Sequence, residues 1–138
     1  MLPTNANAAS RAYAQVNLHS SLEDATPHRL VEMLYEALLA SVRRAQIAMR
    51  KGEIARKGEA IGKAISILDG LRASLNLEEG HELSAHLDRL YEYAQHRLVE
   101  ANLCSQENIL DEVLTLLGPI SEAWSKIPEQ YRRGLRAA

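Results

Sequence analysis

Histidines with acidic neighbours are the residues of this sequence that could hold a metal ion or move a proton. His81 and Glu82 begin a pattern similar to the HExxH zinc site, but Ala85 occupies the place of the second histidine, and the next histidine is His86. On a helix, residues five apart point roughly 140° away from each other, so these two imidazoles cannot share a zinc ion. A di-iron bundle needs Glu-x-x-His on two helices, and only Glu78 and His81 have that spacing. We therefore expect no metal and no cofactor.

The remaining candidates for catalysis lack the partners that catalysis requires. Glu92 and His96 are four residues apart, which favours a solvated pair on a helix surface over a general base. Cys104 is the only cysteine, has no adjacent histidine, and is interpreted as an inert, partly buried thiol. The sequence contains neither a phosphate-binding glycine loop nor a GxSxG elbow. These observations predict a protein that is not an enzyme.

Charge and composition narrow the range of partners. The 138 residues include 16 basic and 18 acidic side chains, a net charge of −2, which gives no strong field for nucleic acid or an anionic membrane. The basic clusters at 43–44, 50–51 and 132–133 are too small for a nucleic-acid site. No apolar run approaches the ~18 residues of a membrane span, and residues 1–25 lack a secretory signal pattern. With one cysteine, the expected location is cytoplasmic.

The first two helices are bounded by clear signals. Thr26 is the predicted N-cap of the first helix, Pro27 lies in its first turn, and Gly52 follows its end. The second helix is predicted over about residues 53–75 from apolar positions at three- and four-residue steps.

Two more helices follow a turn at Asn76 and Gly80. The third is predicted over about 81–101, with Asn102 closing it, and Ser105 is the predicted N-cap of the fourth. Pro119 removes a backbone donor, so we expect the fourth helix to kink or fray near residues 115–119.

Short connections between long helices favour antiparallel neighbours. The predicted fold is therefore all-α, an antiparallel up-down bundle of four long helices with a short N-terminal helical or extended segment. We expect residues 1–25 to be a mobile segment, 26–127 the bundle and 128–138 a flexible tail.

The apolar face of the first helix is wider than a bundle core requires. Its side chains cover roughly 240° of the helix circumference, against roughly 100° for the third helix. One interpretation is that this helix lies centrally, covered by the other helices and the N-terminal segment. The other is a hydrophobic groove for a partner's amphipathic helix, with the N-terminal segment as a removable cover. The candidate groove residues are Tyr13, Val16, Val31, Leu34, Tyr35, Leu38, Leu39, Val42, Ile61, Ile65 and Leu68.

A row of small residues lies along the second helix, at Gly58, Gly62, Ser66 and Gly70. Glycine in a helix costs roughly 1 kcal/mol against alanine, so the row marks either a place where another helix packs closely or tolerated surface glycines.

Three segments, read with their order and spacing, resemble one known family. They are LVEMLYE at 30–36 after Thr26-Pro27, LDRLYEY at 87–93, and LVEAN at 98–102. Tyr13, Gly52-Glu53, the stretch 63–71 and Trp124 also match, so the similarity covers about residues 12–126. In this combination the sequence resembles the FliS family of flagellin export chaperones.

The resemblance implies a cytoplasmic chaperone without a cofactor. It would bind the disordered C-terminal segment of flagellin, prevent premature polymerisation and aid delivery to the flagellar type III export apparatus through FlhA. By position, Tyr13 corresponds to the aromatic residue of the lead segment and Tyr35 to the aromatic residue of Leu-Tyr-Glu, each with either a structural or a binding role. The sequence departs from the family at Ala37, where glycine is frequent. It also departs at Gly118-Pro119, which lie inside the predicted fourth helix. The alternative function is structural: the protein would be a self-associating helical bundle, such as a homodimer, without a flagellin client.

Overall fold

Four stretches with apolar side chains at helical spacing form four helices. A computed structural model describes residues 26–75 and 82–127. The helices are α1 (Pro27–Arg50), α2 (Ile54–Ser74), α3 (Glu82–Cys104) and α4 (Glu107–Ser125). The prediction of an all-α fold with four long helices is confirmed. The predicted N-terminal segment, the C-terminal tail and His81 lie outside the described residues. Among the helices described, none combines the length and apolar character needed to cross a membrane.

Contacts between helix ends show that α1 and α4 are antiparallel. Near the start of α1, the backbone carbonyl of His28 accepts a hydrogen bond from Trp124 Nε1 at 3.0 Å, close to the end of α4. Near the end of α1, Gln46 Nε2 donates to Asp111 Oδ1 at 2.6 Å, close to the start of α4. The imidazole of His28 also stacks on the Trp124 indole, with ring centroids 4.4 Å apart.

The register between α2 and α3 is set by polar side chains that reach across their interface. The contacts join Lys57 Nζ to the Asn102 carbonyl at 3.0 Å, Gln95 Nε2 to the Ile65 carbonyl at 3.1 Å, and Arg72 Nε to Asp88 Oδ1 at 2.8 Å. As residue numbers rise along α2, those of the facing residues fall along α3, so these helices are also antiparallel. Each helix packs against the preceding and following helix, and α4 returns to α1. The up-down order is therefore confirmed.

The ends of α1 follow from local chemistry. Thr26 is extended and its Oγ1 accepts a hydrogen bond from the Arg29 N–H at 3.1 Å, while Pro27 occupies the first helical position. These features stabilise the start of α1 because a helix N-terminus has backbone donors without helical partners. After α1, Gly52 has a φ of 70°, a conformation that glycine adopts without the steric cost other residues incur.

The junction between α3 and α4 differs from the prediction. Helix α3 continues past Asn102 to Cys104, and Ser105 ends α3 instead of capping α4. Ser105 has a φ of 50°, and its N–H donates to the Ala101 carbonyl at 2.9 Å. The ammonium group of Lys57 donates to Ser105 Oγ at 2.6 Å, a contact from α2 that local sequence signals do not contain. Gln106 precedes α4 without a side-chain cap.

The core lies between the four helices and is mainly aliphatic. Its largest fully buried side chains are Tyr35, Tyr91, Leu34, Leu38, Ile61, Ile67, Leu68, Leu71, Leu98, Leu110, Leu117 and Val42. Leucine, isoleucine, valine and alanine therefore build the core in a chain that has no phenylalanine.

Helix α4 continues through Pro119 without interruption. The proline ring removes the backbone donor that would bind the Thr115 carbonyl, one turn earlier. Both residues are exposed, so water can satisfy that carbonyl, and the predicted fraying is not seen.

Replacing this proline should stabilise the protein. We expect Pro119→Ala to raise the free energy of unfolding by about 1 to 3 kcal/mol, because the helix regains a donor and loses a clash. Urea unfolding followed by circular dichroism measures the change. Pro27→Ala is the matched control, because proline is favourable at the first helical position and its loss should give no gain. An equal response of the two variants would contradict this account of Pro119.

Candidate partner-binding site

The candidate groove residues of α1 lie mostly inside the core. Among the candidates that the structure describes, Leu39 and Ile65 are half-buried and the others are buried. The buried candidates are Val31, Leu34, Tyr35, Leu38, Val42, Ile61 and Leu68, and the most exposed of these is Val31 at 4%. The α1 stripe is therefore not an open groove in this conformation. Tyr13 and Val16 lie outside the described residues, and a role of the whole set in partner binding stays a prediction.

Tyr35 and Tyr91 connect α1 to α3 through the middle of the bundle. Their hydroxyl groups form a buried hydrogen bond, and their ring centroids are 6.4 Å apart. Burial raises the pKa of Tyr35 to about 12, and burial together with Tyr35 raises the pKa of Tyr91 well above its usual value. Both phenols are thus neutral at physiological pH, and each supplies the hydrogen-bond partner that the other needs in an apolar core.

This pair should make the protein sensitive to alkaline pH. A tyrosine with a raised pKa in the folded state stabilises the fold fully below about pH 10, and this stability is lost as pH rises from about 10 towards 12. We expect the free energy of unfolding to fall by up to about 1.4 kcal/mol per pH unit for each tyrosine in that window. Urea unfolding at pH 8 to 11 measures the slope.

The Tyr35→Phe and Tyr91→Phe double variant should have a shallower slope because neither buried phenol remains. Tyr93→Phe is the comparison, since Tyr93 is 45% exposed: its hydrogen bond to Glu112 at 2.7 Å raises the pKa of this phenol too, but on the surface, where solvent screening makes the effect on the slope smaller. If the double variant kept the wild-type slope, the buried pair would not be its source.

Exposed apolar side chains lie on the outer face of α2 and on the neighbouring part of α3. Ile54 is 75% exposed at the start of α2, and on α3 Val99 is 47% and Leu103 80% exposed. The antiparallel register places the end of α3 beside the start of α2, because Lys57 contacts the Asn102 carbonyl. We call this surface the outer strip. It comprises Ile54, Gly58, Gly62 and Ile65 of α2 with Val99 and Leu103 of α3.

The two glycines keep the outer strip open. A Cβ atom added at Gly58 or Gly62 would have no heavy atom within 4 Å, so no described helix packs on this part of the row. Gly70, further along the row, is buried. At 1.5 Å per residue, the α2 side of the strip is roughly 17 Å long, which is about three turns of a docked helix.

A polar network fixes the outer strip to the rest of the bundle. The Arg72 guanidinium contacts Asp88 and donates to Gln95 Oε1 at 3.0 Å, and Gln95 Nε2 donates to Asp69 at 2.7 Å. The hydrogen bond to Asp88 is the main reason that the pKa of Arg72 is raised, so the cation is permanent. Because Gln95 also binds the Ile65 carbonyl, the network holds the relative position of the two helices next to the strip.

The residues first considered for catalysis have surface roles. His86 lies 3.3 Å from Glu82 and 2.8 Å from Arg89, and Glu92 contacts Arg72 at 3.4 Å instead of pairing with His96. Cys104 is exposed, not partly buried as predicted. Within residues 26–75 and 82–127, no three acidic, histidine or cysteine side chains are grouped to hold a metal ion.

Comparison with known proteins decides the family. A family model described as flagellar protein FliS matches residues 9–131. This chain belongs to the FliS family. The predicted resemblance is thus confirmed, over a slightly longer part of the chain than the motifs covered.

Three relatives of this FliS-family protein are named as flagellar secretion chaperones. The protein from Salmonella typhimurium is 42% identical over 118 residues, covering 85% of this chain and 87% of its own. FliSB of Pseudomonas aeruginosa is 44% identical over 119 residues, which cover 86% of this chain and 94% of FliSB. The Vibrio cholerae protein is 35% identical over 121 residues, which cover 88% of this chain and 89% of that protein. These names support a role as an export chaperone and describe no enzyme.

Val99 and Leu103 are not among the site residues predicted from the sequence. They are four residues apart on α3 and lie outside the arc that faces the core, so the second apolar pair on this helix was the available signal. Only the fold shows that this pair lies on the part of α3 that neighbours the start of α2.

Proposed function

We propose that this protein is a cytoplasmic export chaperone that binds the disordered C-terminal region of flagellin. Binding would prevent premature polymerisation and aid delivery to the flagellar type III export apparatus through FlhA. Membership of the FliS family and the names of its relatives support this role. The observation on which the proposal depends is the outer strip, which exposes apolar side chains to a client without any change in the core.

The energetics favour a client that forms a helix on the strip. A segment that folds on binding loses about 2 to 5 kcal/mol in ordering, so it must bury large apolar side chains. Covering a leucine or isoleucine fully stabilises a complex by about 1.5 to 3 kcal/mol, and Ile54 and Leu103 are both mostly exposed. Spacing of three and four residues along a client helix would match the length of the strip.

The α1 candidates would take part in a second stage of binding. Leu34 and Val42 are each 0% exposed, so a client can reach them only if the residues that cover them separate. Leu39, on α1, is half-buried and needs a smaller movement, whereas Ile65 already belongs to the outer strip. We therefore place the first client contact on the outer strip, with the α1 stripe and Tyr13 and Val16 as further candidates.

Client binding can be tested by comparing intact flagellin with flagellin lacking its C-terminal segment. The wild-type chaperone should bind only the intact client. The double variant Val99→Asp, Leu103→Asp replaces two exposed apolar side chains of the strip by carboxylates. We expect its affinity for intact flagellin to fall by about tenfold or more. Isothermal titration calorimetry gives the affinities. These substitutions are preferable to changes at Tyr35 or Val42, which are buried and would destabilise the fold.

The matched control is Leu83→Asp with Tyr93→Ser. Both side chains are exposed on α3 but lie off the strip, and affinity should remain near the wild-type value. Equal recovery of both flagellins would remove the proposed function. If light scattering instead showed a dimer that Val99→Asp and Leu103→Asp converted to monomer, with client recovery unchanged, the strip would serve self-association.

Replacing the glycines of the outer strip should change stability and client affinity in opposite directions. Gly58→Ala and Gly62→Ala should each raise the free energy of unfolding by about 1 kcal/mol, because the helix gains propensity and the added methyl meets open space. The same methyl groups should weaken client binding by hindering close approach of the client backbone. Thermal unfolding and calorimetry measure the two effects.

Gly118→Ala is the binding control. Space at Gly118 is equally open, but this residue is on α4, so client affinity should not change. Unchanged client affinity in the Gly58 and Gly62 variants would show that the glycines are only tolerated surface residues.

A further inference from the structure

A second surface lies between α1 and α2, near the turn that joins them. It is a groove of about 480 Å³ formed by the last turns of α1 and the first turns of α2. We call it the basic groove. Its lining residues are Arg44, Ile47, Ala48, Lys51, Glu53, Arg56, Glu59, Ala60 and Lys63.

The basic groove combines an apolar floor with charged walls. Ile47 is 49% exposed, although it lies beside the buried Ala48 and Ala60. The lining includes four basic and two acidic residues, so its net charge is 4 − 2 = +2, although the whole chain has a net charge of −2. The groove is therefore a local positive region on an acidic protein, and its floor offers an apolar side chain a place to bind.

The charges in the basic groove are only partly neutralised. Arg56 forms an ion pair with Glu53 at 3.3 Å, and Arg44 donates to Ser41 Oγ at 2.9 Å. Within the described part of the chain, the side-chain ammonium groups of Lys51 and Lys63 form neither a hydrogen bond nor an ion pair. Two cations on opposite walls are thus available to carboxylates of a bound segment.

The basic groove and the outer strip lie on nearly opposite sides of α2. At 100° per residue, the groove positions Arg56 and Lys63 are centred roughly 155° from the strip positions Ile54 and Gly58 with their neighbours. One side of α2 borders α1 and the other borders α3. A segment in the groove would therefore not contact a client on the strip.

We propose that the basic groove binds an acidic segment of a partner protein other than the client. An apolar side chain of this segment packs on Ile47, and flanking carboxylates pair with Lys51 and Lys63. The cations are spaced along two helices above an apolar floor, which fits the alternating chemistry of an acidic amphipathic peptide. The chaperone then holds two proteins at once. This last step rests on the proposed function, but acidic-peptide binding does not.

The probe is a fluorescein-labelled amphipathic peptide of about 14 residues, with leucines at three- and four-residue steps and glutamates between them. A second peptide with glutamine in place of glutamate serves as its neutral match. Fluorescence anisotropy on the wild-type protein should show tighter binding of the glutamate peptide, and this advantage should shrink as salt rises from 50 to 300 mM. Equal binding of the two peptides at low salt would overturn the proposal without any variant.

Charge reversal locates the site. Lys51→Glu with Lys63→Glu should weaken binding of the glutamate peptide by about tenfold or more, because two attractions become repulsions. Arg43→Glu with Arg89→Glu changes the net charge by the same amount at exposed positions outside the groove and should have little effect. Equal losses in the two variants would mean that only net charge matters and would overturn the proposal. Thermal unfolding of both variants should confirm that they are folded.

Adding saturating flagellin C-terminal peptide tests simultaneous binding. Affinity for the glutamate peptide should stay within about twofold, whereas displacement would show a shared site and overturn the two-partner claim. Light scattering at 50 mM salt should show a monomer. A dimer that Lys51→Glu and Lys63→Glu dissociate would assign the groove to a second copy of this chain. If flagellin failed to bind while the glutamate peptide bound normally, the proposed function alone would fail.

Discussion

Burial of the wide apolar face of α1 is the constraint on which the rest of this structure depends. Leu34, Leu38 and Val42 are each 0% exposed, and the hydroxyl of Tyr35 has a partner in Tyr91 of α3. A helix with so wide an apolar face must be surrounded, which explains why α2 and α4 both pack along it. The central position of α1 leaves α2 and α3 with outward faces that the core does not need, and these faces form the outer strip.

Helix α2 has a different surface on each side because polar contacts fix its position. Lys57, Gln95 and Arg72 each bridge α2 and α3, and together they set the register over almost the whole length of α2. Aliphatic packing alone would tolerate small shifts between the two helices, whereas hydrogen bonds to particular carbonyl and carboxylate groups do not. The outer strip is therefore a defined surface, because the polar contacts place the helix segment that carries Ile54 beside the segment that carries Leu103.

The sequence predicts the features that depend on local chemistry. Thr26 and Pro27 begin α1 as predicted, because an N-cap hydroxyl and a first-turn proline act within a few residues. The prediction for Ser105 is wrong: this residue follows the end of α3, and its hydroxyl accepts a hydrogen bond from Lys57, 48 residues away, which local sequence signals do not contain. The outer strip was not predicted because it combines two helices, and helical periodicity describes one helix at a time. Periodicity likewise showed that the α1 stripe was wide but could not show what covers it.

The two surfaces proposed for binding lie apart from the core, so they can vary in sequence independently of it. Ile54 and Leu103 are mostly exposed and Val99 is about half exposed, so their replacement removes little of the burial that stabilises the bundle. The strip glycines lower helix stability and keep the surface open, which is expected where function and stability compete. If the outer strip binds a client as proposed, substitutions on it would change affinity for the client while the core, which determines the fold, stays the same.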